Sequence, residues 1–289
     1  MNGTRYEAPS SFGEAVALLA NEADARVLAG GTDLLVQMHI GAPLPSVFVD
    51  IKRIPEAMRL QVNRKGMVLG AGVPAAEIFE NETVRQLWPG LAEATNLIGS
   101  SQIQGRATLA GNLCNGSPAA DTVPALMAVG AEVAVVGPGG ERRIPVEDFT
   151  TGPGVTVLER GELVVAFHVP APKPRTADAY LRLIPRSEMD IAVVGAAVQL
   201  SLDAKGVVKS ARVAIGAVAP TVLRVDAAEE ALVGSRLEDA AIERAMAAAS
   251  AAANPIDDKR GTVAYRKTVA GVLTKRAAKI AYERAEQRS

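Results

Sequence analysis

Thr108-Leu109-Ala110-Gly111-Asn112-Leu113-Cys114-Asn115-Gly116-Ser117-Pro118-Ala119-Ala120-Asp121-Thr122 sets small residues, glycines and one carboxylate between two apolar runs. Far upstream, Ala29-Gly30-Gly31-Thr32-Asp33-Leu34 has the same character. Each reads as a loop in which the backbone, not a bulky side chain, lies against a ligand. Glycine lets main-chain N–H groups approach a phosphate and adopts positive φ without a Cβ clash. Two such loops in one chain predict a pyrophosphate-bearing cofactor held from both sides.

The residues around these loops fix the roles open to them. Gly30 and Gly31 offer adjacent N–H groups, Thr32 adds a hydroxyl, and a helix beginning near Leu34 brings its positive end. A glycine-lined strand-to-helix turn with no ligand is the plain alternative for this loop alone. In the second loop Thr108 can donate to a phosphate oxygen, and Asp121 can accept from ribose or ribityl hydroxyls or simply favour a helix start. Gly70-Ala71-Gly72-Val73-Pro74-Ala75 has the form of a dinucleotide fingerprint but lacks the following strand with a terminal acid, so it reads as a structural turn. Cys114 lacks a neighbouring base or cation and reads as a packing residue.

The 289 residues suffice for two domains, and a net charge of −1 gives no field for nucleic acid or an anionic membrane. No apolar run reaches membrane-spanning length and the first residues lack a signal-peptide core, so a cytoplasmic location is expected. One cysteine and two histidines, His39 and His168, leave no set of ligands for a metal or an iron–sulfur cluster. Redox chemistry, if present, must come from an organic cofactor. No side chain stands out as a catalytic acid, base or nucleophile.

Along the chain, Ser11 and Glu14 are spaced as a capping box before a helix, and Arg26 to Ala29 is a short strand entering the first loop. Helices are expected over 75–79, 84–94 and 118–128, the last capped by Ser117. A hairpin is expected over 131–145, and a strand over 163–169 ends in the proline cluster Pro170-Ala171-Pro172-Lys173-Pro174. That cluster is stiff and cannot donate backbone bonds, which makes it the expected domain boundary. Beyond it, an antiparallel pair over 191–202 and 207–216 precedes helices over 225–233, 237–252 and 263–286. Arg142-Arg143 and Asp257 to Arg260 read as solvated turns.

Taken together, these residues resemble the FAD-binding medium subunit of the molybdenum hydroxylases, the xanthine dehydrogenase and carbon monoxide dehydrogenase family. Ala29 to Leu34 is similar to that family's first flavin loop, and Ile103 to Asn112 followed by Ser117 to Asp121 to its second. Asp190-Ile191-Ala192 and the helix carrying Tyr265-Arg266 and Val272 to Arg276 extend the likeness over nearly the whole chain.

The resemblance implies an α+β chain: a two-subdomain FAD-binding domain of the PCMH-type flavin fold (1–175, divided near 55/56), then a C-terminal domain (176–289) with a small antiparallel sheet and helices. It implies FAD held by Val27, Leu28, Ala29, Gly30, Gly31, Thr32, Asp33 and Leu34 at the pyrophosphate and adenosine half. Thr108, Gly111, Asn112 and Asp121 serve the pyrophosphate, ribose or ribityl portion, Ala107 and Cys114 belong to the same cofactor site, and Ile98, Ile103 and Val164 pack around the flavin or adenine. It implies an electron-transfer subunit of a heterotrimer, with [2Fe-2S] clusters in a small iron–sulfur partner, the molybdopterin cofactor in a large one, and NAD⁺, a quinone or another acceptor receiving the electrons. Ala110, Thr32-Asp33 and Val193 depart from the family pattern, where glycine, a His-Ser pair and, in some members, a lysine stand. A self-contained flavin reductase of the wider fold and a cofactor-free scaffold subunit are the rival readings.

Overall fold

The computed structural model describes residues 3–288; residues 1, 2 and 289, which fall within the expected domains, lie outside the described residues. The chain opens with β1 (Arg5–Glu7), α1 (Phe12–Asn21), β2 (Arg26–Leu28), α2 (Leu34–His39) and β3 (Val47–Asp50). The three strands form a parallel sheet in the order β1-β3-β2. Ser11 caps α1 by accepting the Glu14 N–H at 3.3 Å, while the Glu14 carboxylate accepts the Ser10 N–H, one residue before the position a capping box uses.

Next come β4 (Leu60–Asn63), β5 (Gly66–Gly70) and six helices: α3 (Ala75–Glu80), α4 (Glu82–Leu87), α5 (Pro89–Asn96), α6 (Ser101–Gln104), α7 (Leu109–Cys114) and α8 (Thr122–Ala128). β6 (Glu132–Gly137), β7 (Gly140–Pro145), β8 (Thr150–Gly152), β9 (Val155–Thr156) and β10 (Leu163–Pro170) follow. β4-β5-β10-β6-β7 make an antiparallel sheet. Gly70 ends β5, and Gly72 lies in the turn that follows. A Cβ on Gly70 would stand 2.3 Å from the Ala57 carbonyl oxygen, so close backbone packing explains the glycine.

Two expected helices are redrawn. The segment over 84–94 breaks at Trp88, because Pro89 cannot donate an i→i−4 bond and instead starts α5. Trp88 is buried and donates from Nε1 to the Pro170 carbonyl. The helix expected from Pro118 begins only at Thr122. The Pro118 carbonyl is taken by the Ala217 N–H at 2.7 Å, and the Thr122 N–H turns to Asn112 Oδ1, so residues 118–121 have no helical ladder to join.

The C-terminal part has β11 (Thr176–Leu183), β12 (Val194–Leu202), β13 (Val208–Gly216) and β14 (Leu223–Arg224) in one antiparallel sheet, covered by α9 (Asp226–Leu232) and α11 (Val263–Glu286), with α10 (Asp239–Ala252) packed on those two helices. The helices pack mainly through alanines of α11 such as Ala270, Ala277 and Ala281, all fully buried, which lets the helix lie close to the sheet. Residues 257–260 do turn, with Asp257 and Lys259 exposed, but Asp258 and Arg260 have side-chain partners that the sequence did not show. Asp258 accepts from the buried Arg266 at 2.6 Å, and Arg260 pairs with Asp190. Arg142 and Arg143 lie on β7 rather than in a turn, with Arg142 bound to Glu162.

β11 also caps α5. Asp178 is buried and its Oδ2 accepts the Leu91 N–H at 3.0 Å, supplying the acceptor that α5 lacks locally. Burial pushes the Asp178 carboxyl up to about 6, against the pull of the Leu91 and Gly90 N–H groups. Its unfolded value is about 3.9, so the folded chain keeps a proton that the unfolded chain has lost. The stability this group contributes is full below about pH 4 and is lost as pH rises through about 6. Asp178→Asn keeps the acceptor and removes the charge. Its stability relative to the native chain should therefore rise by about 2 kcal/mol between pH 4 and pH 7.5. Calorimetric melting at both pH values checks this, and a difference independent of pH would refute it.

Candidate cofactor cleft

Both glycine loops open on one cleft of about 770 Å³, within the roughly 300–1,000 Å³ common for cofactor sites. They meet by direct backbone contact. A Cβ on Gly30 would stand 2.1 Å from the Arg106 carbonyl oxygen and 3.0 Å from the Ala107 Cα. Glycine is the residue that allows this approach. Gly31 follows at φ +76°, a conformation that turns the chain into α2 and that a side chain would strain.

Among the described residues, the N–H groups of Gly30, Gly31, Thr32 and Asp33 have no hydrogen-bond partner in the chain. Four consecutive N–H groups left free on a cleft wall make a concave site for an anion. Asp33 precedes α2 without capping it, and burial raises its carboxyl above the usual range. That leaves it available to accept from a hydroxyl.

The second loop is braced from inside. Thr108 caps α7, its hydroxyl oxygen accepting the Gly111 N–H at 2.9 Å, which leaves the hydroxyl proton for a ligand. Asn112 Oδ1 accepts both the N–H and the hydroxyl of Thr122, so Asn112 has its amide donors to offer rather than its oxygen. The Gly116 carbonyl accepts the Gly154 N–H at 3.0 Å, and Gly116 packs so closely on Gly154 that its Cβ would fall 2.8 Å from the Gly154 Cα.

Asp121 is the one cleft carboxylate held by the C-terminal sheet. The Tyr180 hydroxyl donates to Oδ1 at 3.0 Å and Arg182 Nη1 to Oδ2 at 2.6 Å, both from β11. Burial pushes Asp121 up to about 6, opposed by the Arg182 charge and the two hydrogen bonds. The Tyr180 phenol is driven well above its usual value by burial and by that carboxylate. Each Asp121 oxygen keeps a lone pair for a ligand hydroxyl.

Every site residue named from the sequence lines this cleft except Leu28. Leu28 lies just inside, its Cδ1 about where a Gly31 side chain would go. Ile98, Ile103 and Val164 supply apolar wall, and burial pushes the Cys114 thiol up to about 12, which makes it inert packing. Ala110 is on the wall, whereas Val193 is buried in the C-terminal core and away from it. His168 sits half-buried in β10 and His39 ends α2, neither on the cleft.

Sequence reasoning missed Arg26, Gly154, Leu158, Glu162 and Met189 on the wall, and Tyr180 and Arg182 behind Asp121. Gly152-Pro153-Gly154 was a readable turn signal, and Tyr180 and Arg182 share one face of a strand. The strand itself had no clear pattern, since Asp178 interrupts an alanine-rich run.

Free main-chain donors, a braced carboxylate and an apolar wall make a cleft suited to an elongated anionic cofactor, the kind of site that FAD-binding proteins carry. Residues 2–172 match the family described as the FAD binding domain in molybdopterin dehydrogenase. Residues 179–281 match the CO dehydrogenase flavoprotein C-terminal domain. The chain belongs to this family of FAD-binding subunits of molybdenum-containing dehydrogenases. It is 36% identical over 280 residues to the carbon monoxide dehydrogenase medium chain of Hydrogenophaga pseudoflava, covering 96% of this chain and 97% of that one. It is 34% identical over 227 residues to the xanthine dehydrogenase FAD-binding subunit of Escherichia coli O157:H7, covering 78% and 77%. A solved structure of a Cu,Mo-CO dehydrogenase in its cyanide-inactivated form superposes with a TM-score of 0.93 at 32% identity, covering 98% of this chain and 99% of its counterpart.

The Gly30 contact gives a direct test. Gly30→Ala puts a methyl into the Arg106 carbonyl and must part the two loops. FAD affinity of the variant should fall by at least about tenfold, with a drop in melting temperature, as expected of an overpacked backbone contact. Fluorescence titration of the flavin-free chain with FAD measures it, and unchanged affinity would show that the loops need not touch.

Proposed function

We propose that this chain is the electron-transfer subunit of a heteromeric molybdenum hydroxylase. It takes electrons from [2Fe-2S] clusters of a small partner, fed by a molybdopterin subunit, and passes them to a terminal acceptor such as NAD⁺ or a quinone. The observation that carries the reading is the run of N–H groups at Gly30 to Asp33, unpartnered among the described residues, on residues that line the cleft. It suits the pyrophosphate of FAD, the cofactor of the family's binding domain. The chain has one cysteine and cannot itself supply the four thiolates of a cluster, so on this reading the clusters lie in another subunit.

Bound FAD would supply a carrier that accepts electrons singly or in pairs. The chain's residues do the holding. The Gly30 to Asp33 donors and the Thr108 hydroxyl take the pyrophosphate, and Asp121 accepts from a sugar or ribityl hydroxyl. Val27 and Leu34 flank the adenosine half, and Ile98, Ile103 and Val164 exclude water from the rings. On the wall, Asp121 is already held by Tyr180 and Arg182 and the Cys114 thiol is inert, which favours electron transfer over a self-contained reductase. The same reading divides the chain at 175/176, following Pro170 to Pro174, with a lesser division near 55/56 between the parallel and antiparallel sheets.

The visible spectrum of the purified chain, with acid release of its chromophore, tests the proposal. Flavin bands with FAD released are expected. A colourless chain that also refuses added FAD would favour the scaffold reading. Reduction of the isolated flavinated chain by a small organic substrate would favour the reductase.

A further inference from the structure

Lys52 lies outside the cleft wall, in the short 3-10 turn Ile51–Arg53 that follows β3. Its ammonium donates to the Ala29 carbonyl at 2.8 Å and to Asp50 Oδ1 at 2.7 Å. Asp50 is itself fixed. It is 5% exposed, its Oδ1 also accepts the Lys52 N–H at 2.9 Å, and its Oδ2 accepts from the Tyr6 hydroxyl. Burial alone would raise the Asp50 carboxyl, but the bonds from Lys52 and Tyr6 hold it below the usual range, so it stays charged.

The contact with Ala29 has a consequence one atom further on. The Ala29–Gly30 peptide is trans and planar, so its C=O and N–H point in opposite directions. Pinning the carbonyl to an ammonium behind the wall aims the Gly30 N–H away from Lys52, and that N–H has no partner among the described residues. Gly30 has no Cβ to restrict this peptide plane, so the Lys52 contact adds to the backbone contact with Arg106 in fixing it. An ammonium on the carbonyl also draws charge through the amide, which strengthens the N–H as a donor.

We propose that Lys52, anchored by Asp50, is a positioning residue for the cofactor's pyrophosphate: it holds the Ala29 carbonyl so that the Gly30 N–H is fixed as a phosphate donor. The inference rests on the FAD reading above. Lys52 touches no cofactor atom and acts through one peptide plane. An ion pair serving only to brace β3 would leave the Ala29 carbonyl out of the interaction.

The test uses the flavin-free full chain, Lys52→Met, which keeps the aliphatic stem, and Lys52→Arg, which restores a cationic donor. FAD binding is read by fluorescence titration, the bound pyrophosphate by phosphorus NMR, and the cofactor-free melting temperature separately. Lys52→Met should weaken FAD binding by about tenfold, the scale of one charge-assisted hydrogen bond, and move the bound phosphorus signals. The melting temperature without FAD should fall modestly, because the buried Asp50 loses its cation, and Lys52→Arg should recover most of the affinity and the native phosphorus signals. Native affinity and native phosphorus signals in Lys52→Met would overturn the proposal. So would an affinity loss that follows a fall in melting temperature and is not rescued by arginine, because that marks a structural brace. If the native chain itself takes up no FAD, the cofactor reading fails first and this inference falls with it.

Discussion

The approach of Gly30 to the Arg106 carbonyl is the constraint around which the cleft is built. It joins a loop from the parallel sheet to the segment that leads into α7, two parts of the chain some seventy-six residues apart. Without a Cβ at that point the two backbones touch, and the first loop comes to line one cleft with Thr108 and Gly111. The surrounding elements maintain this meeting. The Ala75 N–H donates to the Ala107 carbonyl at 2.8 Å, tying the second segment to α3. β3 and the short turn after it carry Asp50 and Lys52 to the back of the first loop. Gly116 on Gly154 repeats the same device on the other side.

The glycine loops were legible because their signal is local. Glycine, threonine and asparagine at these spacings describe a backbone before any fold is known, and nearly all the residues they nominated line the cleft. The terminal helices were legible for a similar reason, since a long alanine-rich periodic run ending in Glu286 needs no tertiary information. What failed to show were features created by distant partners. Nothing near Pro118 announces that Ala217 will take its carbonyl and postpone α8 by four residues. Nothing near Asp258 announces a buried arginine eight positions on. β11 was hidden because its polar residues are satisfied elsewhere: Asp178 by α5, and Tyr180 and Arg182 by Asp121.

That delayed start of α8 is what makes Asp121 useful. Had the helix run from Pro118, Asp121 would sit a full turn inside it, with its position set by the helix. Held at the first turn instead, it is met by two donors from another sheet and is turned to the cleft wall. The cost of burying it is visible in its raised affinity for a proton, and Arg182 offsets part of that cost. Arg182 is in turn 4% exposed along its side chain and has Asp121 as its salt-bridge partner. Neither charge is stable there without the other.

The charges nearest the cleft therefore follow one pattern. The wall itself carries Asp33, Asp121 and Glu162, with Arg26 as its cation, a poor balance for an anionic ligand. The cations that matter stand one layer back, Lys52 behind a carbonyl and Arg182 behind a carboxylate. An anion in the cleft would then be met by main-chain dipoles, which are fixed by the fold and do not titrate. Because Arg182 and Tyr180 come from β11, the C-terminal sheet completes the cleft as well as covering it. Removing that sheet would expose a half-buried carboxylate with no partner on the floor of the site. The two halves of the chain are thus tied together by the chemistry of the cleft, beyond the apolar packing they share.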